Sequence, residues 1–189
     1  MSTNFVEVDW SKLPVPQDDG ATRHLFGAPV ADVALASTAG GDVSLAKLRG
    51  RTVLFIYPMT GTPGVALPDG WDAIPGARGC TPHTCAFRDL HAELKSAGAS
   101  AVFGLSTQTL SEQRNTVERL HLPFPLLSDA LLGLARAMTL PTMVVAGKTM
   151  IKRLAMVIDD GTVTHVFYPV FPPDRNAADV FAWLKEHPA

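Results

Sequence analysis

Apolar positions along the chain fall into two alternating patterns. Arg51–Tyr57 is β-branched and aromatic with no polar face, the signature of a central strand buried on both sides. Ahead of it, Val33 and Leu35, then Val43 and Leu45, flank Gly40-Gly41-Asp42, which predicts a hairpin. Ser44 is placed to cap a short helical turn ending near Arg49-Gly50. Pro58–Gly79 is rich in Pro and Gly and has no periodicity, so it reads as loop. A helix follows, with Thr81 as cap, Pro82 at the first helical position, Phe87, Leu90 and Leu94 on one face, and Gly98 closing it. Strand then alternates with helix: Ala101–Ser106, Leu110–Leu120, Phe124–Leu127 and Asp129–Met138. Met150–Ile158 and Val163–Tyr168 flank Asp159-Asp160-Gly161, a second hairpin signal. Asn176–Glu186 is a final amphipathic helix with Val180, Phe181 and Leu184 facing inward.

This order implies an α/β fold, a central mixed sheet flanked by helices. Residues 1–25 read as an irregular N-terminal arm and 26–189 as one domain, a size that buries about two thirds of its unfolded surface. Sixteen Lys+Arg against eighteen Asp+Glu give a net charge of −2, so no basic excess exists for a nucleic-acid backbone. The first ten residues lack the basic start and apolar stretch of a secretory signal. The longest apolar stretch, Val53–Tyr57, is too short to cross a bilayer, so no membrane contact and a cytoplasmic location are expected.

The candidate chemistry lies in two cysteines, Cys80 and Cys85, at the entry to the helix that follows the central strand. In open α/β sheets this carboxyl end is where reactive sites gather. A thiolate is the reactive form of cysteine, and the free N–H groups and dipole of a helix start favour that anion. The alternative for Cys80 is a small buried apolar residue. On a continuous helix the two Cα atoms would stand ~8.7 Å apart, whereas a disulfide needs them within ~7 Å. A bond between them therefore requires the first turn to unwind; otherwise Cys85 is core beside Ala86 and Phe87. Zinc would need His83 or another histidine, without the usual ligand spacing. A dithiol of thioredoxin type would have two residues between its cysteines, not four, although Leu140-Pro141-Thr142 is compatible with it.

Several blocks in order resemble one family. They are Gly27-Ala28-Pro29, Gly41 to Leu45, Leu48-Arg49-Gly50, Val53–Pro58, Cys80-Thr81 followed by Cys85, Phe87, Arg88 and Asp89, Pro123–Asp129, and Arg153 followed by Met156–Asp159. From about Phe26 to Leu184 the chain resembles a peroxiredoxin, closest to the Q (bacterioferritin-comigratory) subgroup. The resemblance implies a thioredoxin-like fold and a thiol peroxidase needing no cofactor or metal. It implies Cys80 as peroxidatic cysteine, Cys85 as resolving cysteine through an intramolecular disulfide, and Pro58, Thr62 and Arg153 as pocket residues. Its implied partners are a hydroperoxide substrate and a thioredoxin-like reductant, in a monomer or a homodimer.

Two departures qualify the match. Pro58, Thr62 and Pro63-Gly64 follow the family motif, but Val65 stands where its cysteine should be, and Cys80 comes only after the extra residues Val65–Gly79. That insertion reads either as a surface loop or interface patch, or as a lid anchored by Trp71. If it displaces Thr62, then Thr60 or Thr81 takes the threonine role. Secondly, His83 stands where the subgroup has Glu or Gln, and reads as an exposed first-turn residue or a polar contact to peroxide. Strand alternation places only one of Lys152 and Arg153 on the site face, and the motif favours Arg153. Arg88-Asp89 reads as a structural ion pair. The competing functions are a protein disulfide oxidoreductase or redox sensor of the same fold, and a redox-inert binding module whose pocket the insertion has closed.

Overall fold

The computed structural model describes residues 8–189, so the reading of residues 1–7 lies outside the described residues. Nine strands are present among them: β1 Leu35–Ser37, β2 Asp42–Val43, β3 Arg51–Ile56, β4 Ala99–Ser106, β5 Leu126–Ser128, β6 Thr142–Val145, β7 Lys148–Ile151, β8 Leu154–Asp159 and β9 Thr162–Phe167. Five helices accompany them: α1 Cys80–Asp89, α2 His91–Ser96, α3 Leu110–Leu120, α4 Gly133–Ala137 and α5 Asn176–Glu186. Seven strands form one sheet in the order β2-β1-β5-β4-β3-β8-β9, and β6 and β7 make a separate hairpin. Pairings β3–β4 and β4–β5 are parallel and the other pairings of this sheet antiparallel, so the sheet is mixed, as the sequence pattern predicts.

Every residue of β3 is buried. Val53, Phe55 and Tyr57 enter one core with Phe87, Leu94, Leu120, Val180 and Leu184, from α1, α2, α3 and α5. Leu54 and Ile56 enter the core on the opposite face with Leu134 and Met138. The two-unit side-chain period of a strand thus explains why its sequence shows no polar face. Phe55 stacks on Phe87 with ring centroids 4.2 Å apart, which ties α1 to the strand whose end carries the site.

The structure revises several expected boundaries. Helix α1 begins at Cys80, with Gly79 in the cap position at φ 100°, so Thr81 is a helical residue and not the cap. Pro82 sits third in the helix, where its missing N–H still costs no helical bond. The expected helix to Gly98 is two, because the chain bends at Leu90 before α2. Ser44 does stand ahead of a 3-10 turn, Leu45–Lys47, but its hydroxyl donates to Asp32 at 2.7 Å instead of capping. The strand expected from Met150 to Ile158 breaks at Lys152-Arg153, and the helix expected over Asp129–Met138 shortens to α4. The hairpin β6–β7 was not anticipated; its turn, Ala146-Gly147, has positive φ at both positions.

The insertion packs against that hairpin. Trp71 is 3% exposed and clusters with Ala77, Val145 and Met150, with Met59, Leu67, Ile74 and Met143 around them. On the other side the N-terminal segment reaches the same region: Trp10 Nε1 donates to Asp174 at 2.9 Å, and Lys152 pairs with Asp19. Truncating Trp71 removes the largest apolar anchor of the insertion. Trp71→Ala is expected to cost about 3 kcal/mol in urea denaturation and to open the Arg78 bond to trypsin. An unchanged midpoint with an uncut loop would show that the insertion is held by something else.

Candidate active site

Cys80 sits where β3, the insertion and α1 converge. It is 4% exposed, at the first position of α1, with its sulfur near the end of β3. Gly79 makes that position possible. A Cβ there would lie 2.7 Å from the Trp10 ring and 2.8 Å from Pro173, in a backbone conformation that side chains rarely adopt. The Met59 N–H points to the sulfur at 3.5 Å, and the thiol donates to the Ala77 carbonyl at 3.5 Å. Cys80 and Thr81 offer the amide N–H groups of the first turn, since Pro82 has none.

Arg153 comes from the break between β7 and β8 and is 3% exposed. Its Nη2 donates to Cys80 Sγ at 3.2 Å, to Ala77 O at 3.1 Å and to Arg78 O at 3.2 Å. Neighbouring Lys152 points the other way, to Asp19, so the break between β7 and β8 divides the pair between site and surface. The guanidinium sets a positive charge and an N–H donor directly against the sulfur. Two of its acceptors are carbonyls of the insertion, which therefore forms part of the site's wall.

His83 is completely buried, which overturns its reading as an exposed first-turn residue. Arg153 Nη1 lies 2.9 Å from its Nδ1, and its Nε2 lies 2.9 Å from Asn176 Oδ1. A guanidinium can only donate, so Nδ1 is the acceptor and Nε2 carries the proton given to Asn176. Burial and the adjacent Arg153 charge hold the imidazole well below its ordinary titration range. Cys80, His83, Thr84 and Phe87 make up the buried stripe of α1, at the i, i+3, i+4, i+7 spacing. That spacing was the available signal for His83; Asn176, 93 residues away, gave none.

The remaining site residues separate. Pro58 is buried two residues past the end of β3. Thr62 is exposed and lines the same cavity as Cys80, with no hydrogen bond to the sulfur. Thr60 is buried, its hydroxyl bonded to Gln108 and Thr116, which leaves it no role at the sulfur. Thr81 lines the cavity beside Cys80. The cavity has a volume of about 580 Å³, with Met59, Leu67, Trp71 and Leu120 among its apolar walls and Arg78 and Arg119 among its lining residues. Cys85 is half-buried against the helical core, a free thiol like Cys80. Burial pushes its thiol up, partly offset by Arg88 and Arg119. Arg88 and Asp89 form the expected ion pair at 2.8 Å. No cluster of metal-ligating side chains occurs among the described residues.

His83 makes the site's stability pH-dependent. Unfolding frees an imidazole that titrates near 6.5, whereas the folded one stays neutral far below this, so the unfolded chain binds the extra proton. Stability from this residue is complete above pH 7 and falls as pH drops through 6.5, by about 1.4 kcal/mol per pH unit once the unfolded imidazole is protonated. His83→Gln is expected to flatten the slope between pH 6.5 and 5 in denaturant titrations. An unaltered slope would assign the acid sensitivity elsewhere.

Comparison with known proteins agrees with this geometry. The Redoxin family model matches residues 26–182. A Mycobacterium tuberculosis protein named as a peroxiredoxin is 35% identical over 163 residues, 84% of this chain and 95% of its own. The chloroplastic peroxiredoxin Q of Gentiana triflora is 29% identical over 182 residues, 93% of this chain and 76% of its own. Among solved structures, peroxidoxin BcpB from Mycobacterium tuberculosis superposes with a TM-score of 0.69 at 32% identity, covering 87% of this chain and 98% of that one. Xanthomonas campestris peroxiredoxin Q gives 0.65 at 25% identity, covering 93% and 97%. A buried thiol under an arginine, on a thioredoxin-like sheet matched over most of its length, places this chain in the redoxin family as a Q-type peroxiredoxin, a thiol peroxidase.

Proposed function

We propose that the chain reduces hydroperoxides at Cys80 and resolves the oxidised sulfur with Cys85. The observation that carries this is the 3.2 Å contact from Arg153 to a sulfur at the edge of the 580 Å³ cavity. The cavity also weighs against an inert module with a closed pocket.

The Cys80 thiolate attacks one peroxide oxygen, the O–O bond breaks, and the alkoxide or hydroxide that leaves takes up a proton. Arg153 and the first-turn N–H groups of Cys80 and Thr81 stabilise the charge that builds on that oxygen. Pro58 turns the chain out of β3 so that the Met59 N–H reaches the sulfur, and Thr62 supplies a hydroxyl at the cavity rim. Cys80 is then a sulfenic acid. Condensation with the Cys85 thiol forms the S–S bond and releases water.

Because both cysteines lie on one continuous helix, the first turn must unwind before the sulfurs meet. A dithiol partner of thioredoxin type then restores both thiols by exchange and leaves as its own disulfide. The raised Cys85 thiol suits a resolving role, since it does not compete with Cys80 for peroxide.

Cys80→Ser is expected to abolish peroxide consumption coupled to thioredoxin oxidation; undiminished turnover would discard the nucleophile assignment. In peroxide-treated wild type, intact mass should fall by two hydrogens. Cys85→Ser should instead gain one oxygen, as a sulfenic acid that dimedone traps. A trapped sulfenic acid in wild type, without mass loss, would mean that an external thiol completes the cycle.

A further inference from the structure

The start of α1 is held from outside the helix. A backbone bond closes its first turn, from the His83 N–H to the Gly79 carbonyl at 3.0 Å. The Trp10 ring lies on that same glycine. A Cβ at Gly79 would stand 2.7 Å and 2.9 Å from two of the ring carbons, with Pro173 2.8 Å away. Unwinding the first turn has to break the bond and move Gly79, against an indole and a proline ring packed on it.

Trp10 is itself tied down. Its Nε1 donates to Asp174 at 2.9 Å, and its ring meets Phe171 edge-on with centroids 6.2 Å apart. Asp9 caps the 3-10 turn Trp10–Lys12 by accepting from the Ser11 N–H at 3.2 Å. Further along the arm, Asp19 accepts from Lys152 and from the Tyr168 hydroxyl. Val8 lines the cavity beside Cys80, so one short segment borders the cavity and bears on the helix start. Among the described residues Trp10 belongs to none of the apolar core clusters, so its loss loosens the arm and the first turn and leaves the core packed.

We propose that Trp10 is a positioning residue for the resolving step: it holds the first turn of α1 shut, and its release from Gly79 admits Cys85 to the oxidised Cys80. This rests on reading Cys85 as the resolving cysteine. While Trp10 is seated, the Cys80 sulfenic acid persists, and a second hydrogen peroxide oxidises it to the sulfinic acid as water leaves. Once Trp10 lifts, the Cys85 thiol condenses with the sulfenic acid, forming the S–S bond and releasing water. The arm thus sets the division between closure and overoxidation, acting through Gly79 and not on the sulfur.

The test follows the intact mass of the reduced full chain after hydrogen peroxide, comparing the disulfide, lighter by two hydrogens, with the sulfinic acid, heavier by two oxygens. Trp10→Ala should close its disulfide about tenfold faster and need about tenfold more peroxide for the same sulfinic fraction, with the first oxidation of Cys80 within about twofold of wild type. Parental closure and overoxidation in a folded Trp10→Ala protein would overturn the proposal. Should that variant fail to fold, Asp174→Ala removes the acceptor of the indole N–H and should speed closure about threefold, whereas an unchanged rate overturns the proposal. Hydrogen exchange at the His83 backbone N–H reads the same release without peroxide and should be about tenfold faster in Trp10→Ala. Faster exchange, in a protein whose wild type forms no disulfide, would defeat the Cys85 reading and leave the hold of Trp10 on the turn standing. A wild type that closes its disulfide at the Trp10→Ala rate would do the reverse.

Discussion

The contact from Arg153 to the Cys80 sulfur organises the rest of the structure. Four separate elements meet around one guanidinium: the β7–β8 junction supplies it, α1 brings the sulfur and the imidazole, the insertion brings two carbonyls, and α5 brings the amide behind the imidazole. Only the insertion and α1 are neighbours in sequence; the β7–β8 junction and α5 lie far along the chain. The two-faced β3 makes their meeting possible, because Phe55 and Tyr57 anchor the helical core on one side while Leu54 and Ile56 anchor the sheet on the other. The chemistry is local, but its geometry is a property of the whole domain.

Much of the fold was legible because short-range physics decides it. The limits of α3 and α5 match expectation, and α3 carries a capping box between Thr109 and Glu112 that fixes its start. The turn at Asp160-Gly161 has positive φ at both positions, as its sequence demands. The β6–β7 hairpin leaves no turn signal in the sequence because Ala146 adopts φ 48°, a conformation alanine seldom takes. Thr81 looked like a cap on local propensity, but Trp10 and Pro173 leave space only for glycine ahead of the helix, so Gly79 took that position.

The site was legible in part. Cys80, Cys85 and Arg153 stood out by chemistry and order, but the outward turn of Lys152 comes from the break between β7 and β8 and not from strand alternation. The environment of His83 could not be read, because Phe55 and Asn176 reach it from far along the chain. The threonine question had the same origin. Whether Thr60 or Thr62 faces the cavity depends on Gln108 and Thr116, which claim the Thr60 hydroxyl from another helix and loop.

The insertion divides sharply along its length. Val65 and Ala66 are exposed, whereas Ala77 is fully buried and lends its carbonyl to both the arginine and the thiol. Its outer part is thus free to lengthen, shorten or change composition under drift, and its final turn is not. A relative that trimmed the loop would have to rebuild the Ala77 and Arg78 oxygen ligands from whatever backbone then preceded the cysteine. Loop length here is an evolutionary variable with a fixed terminus.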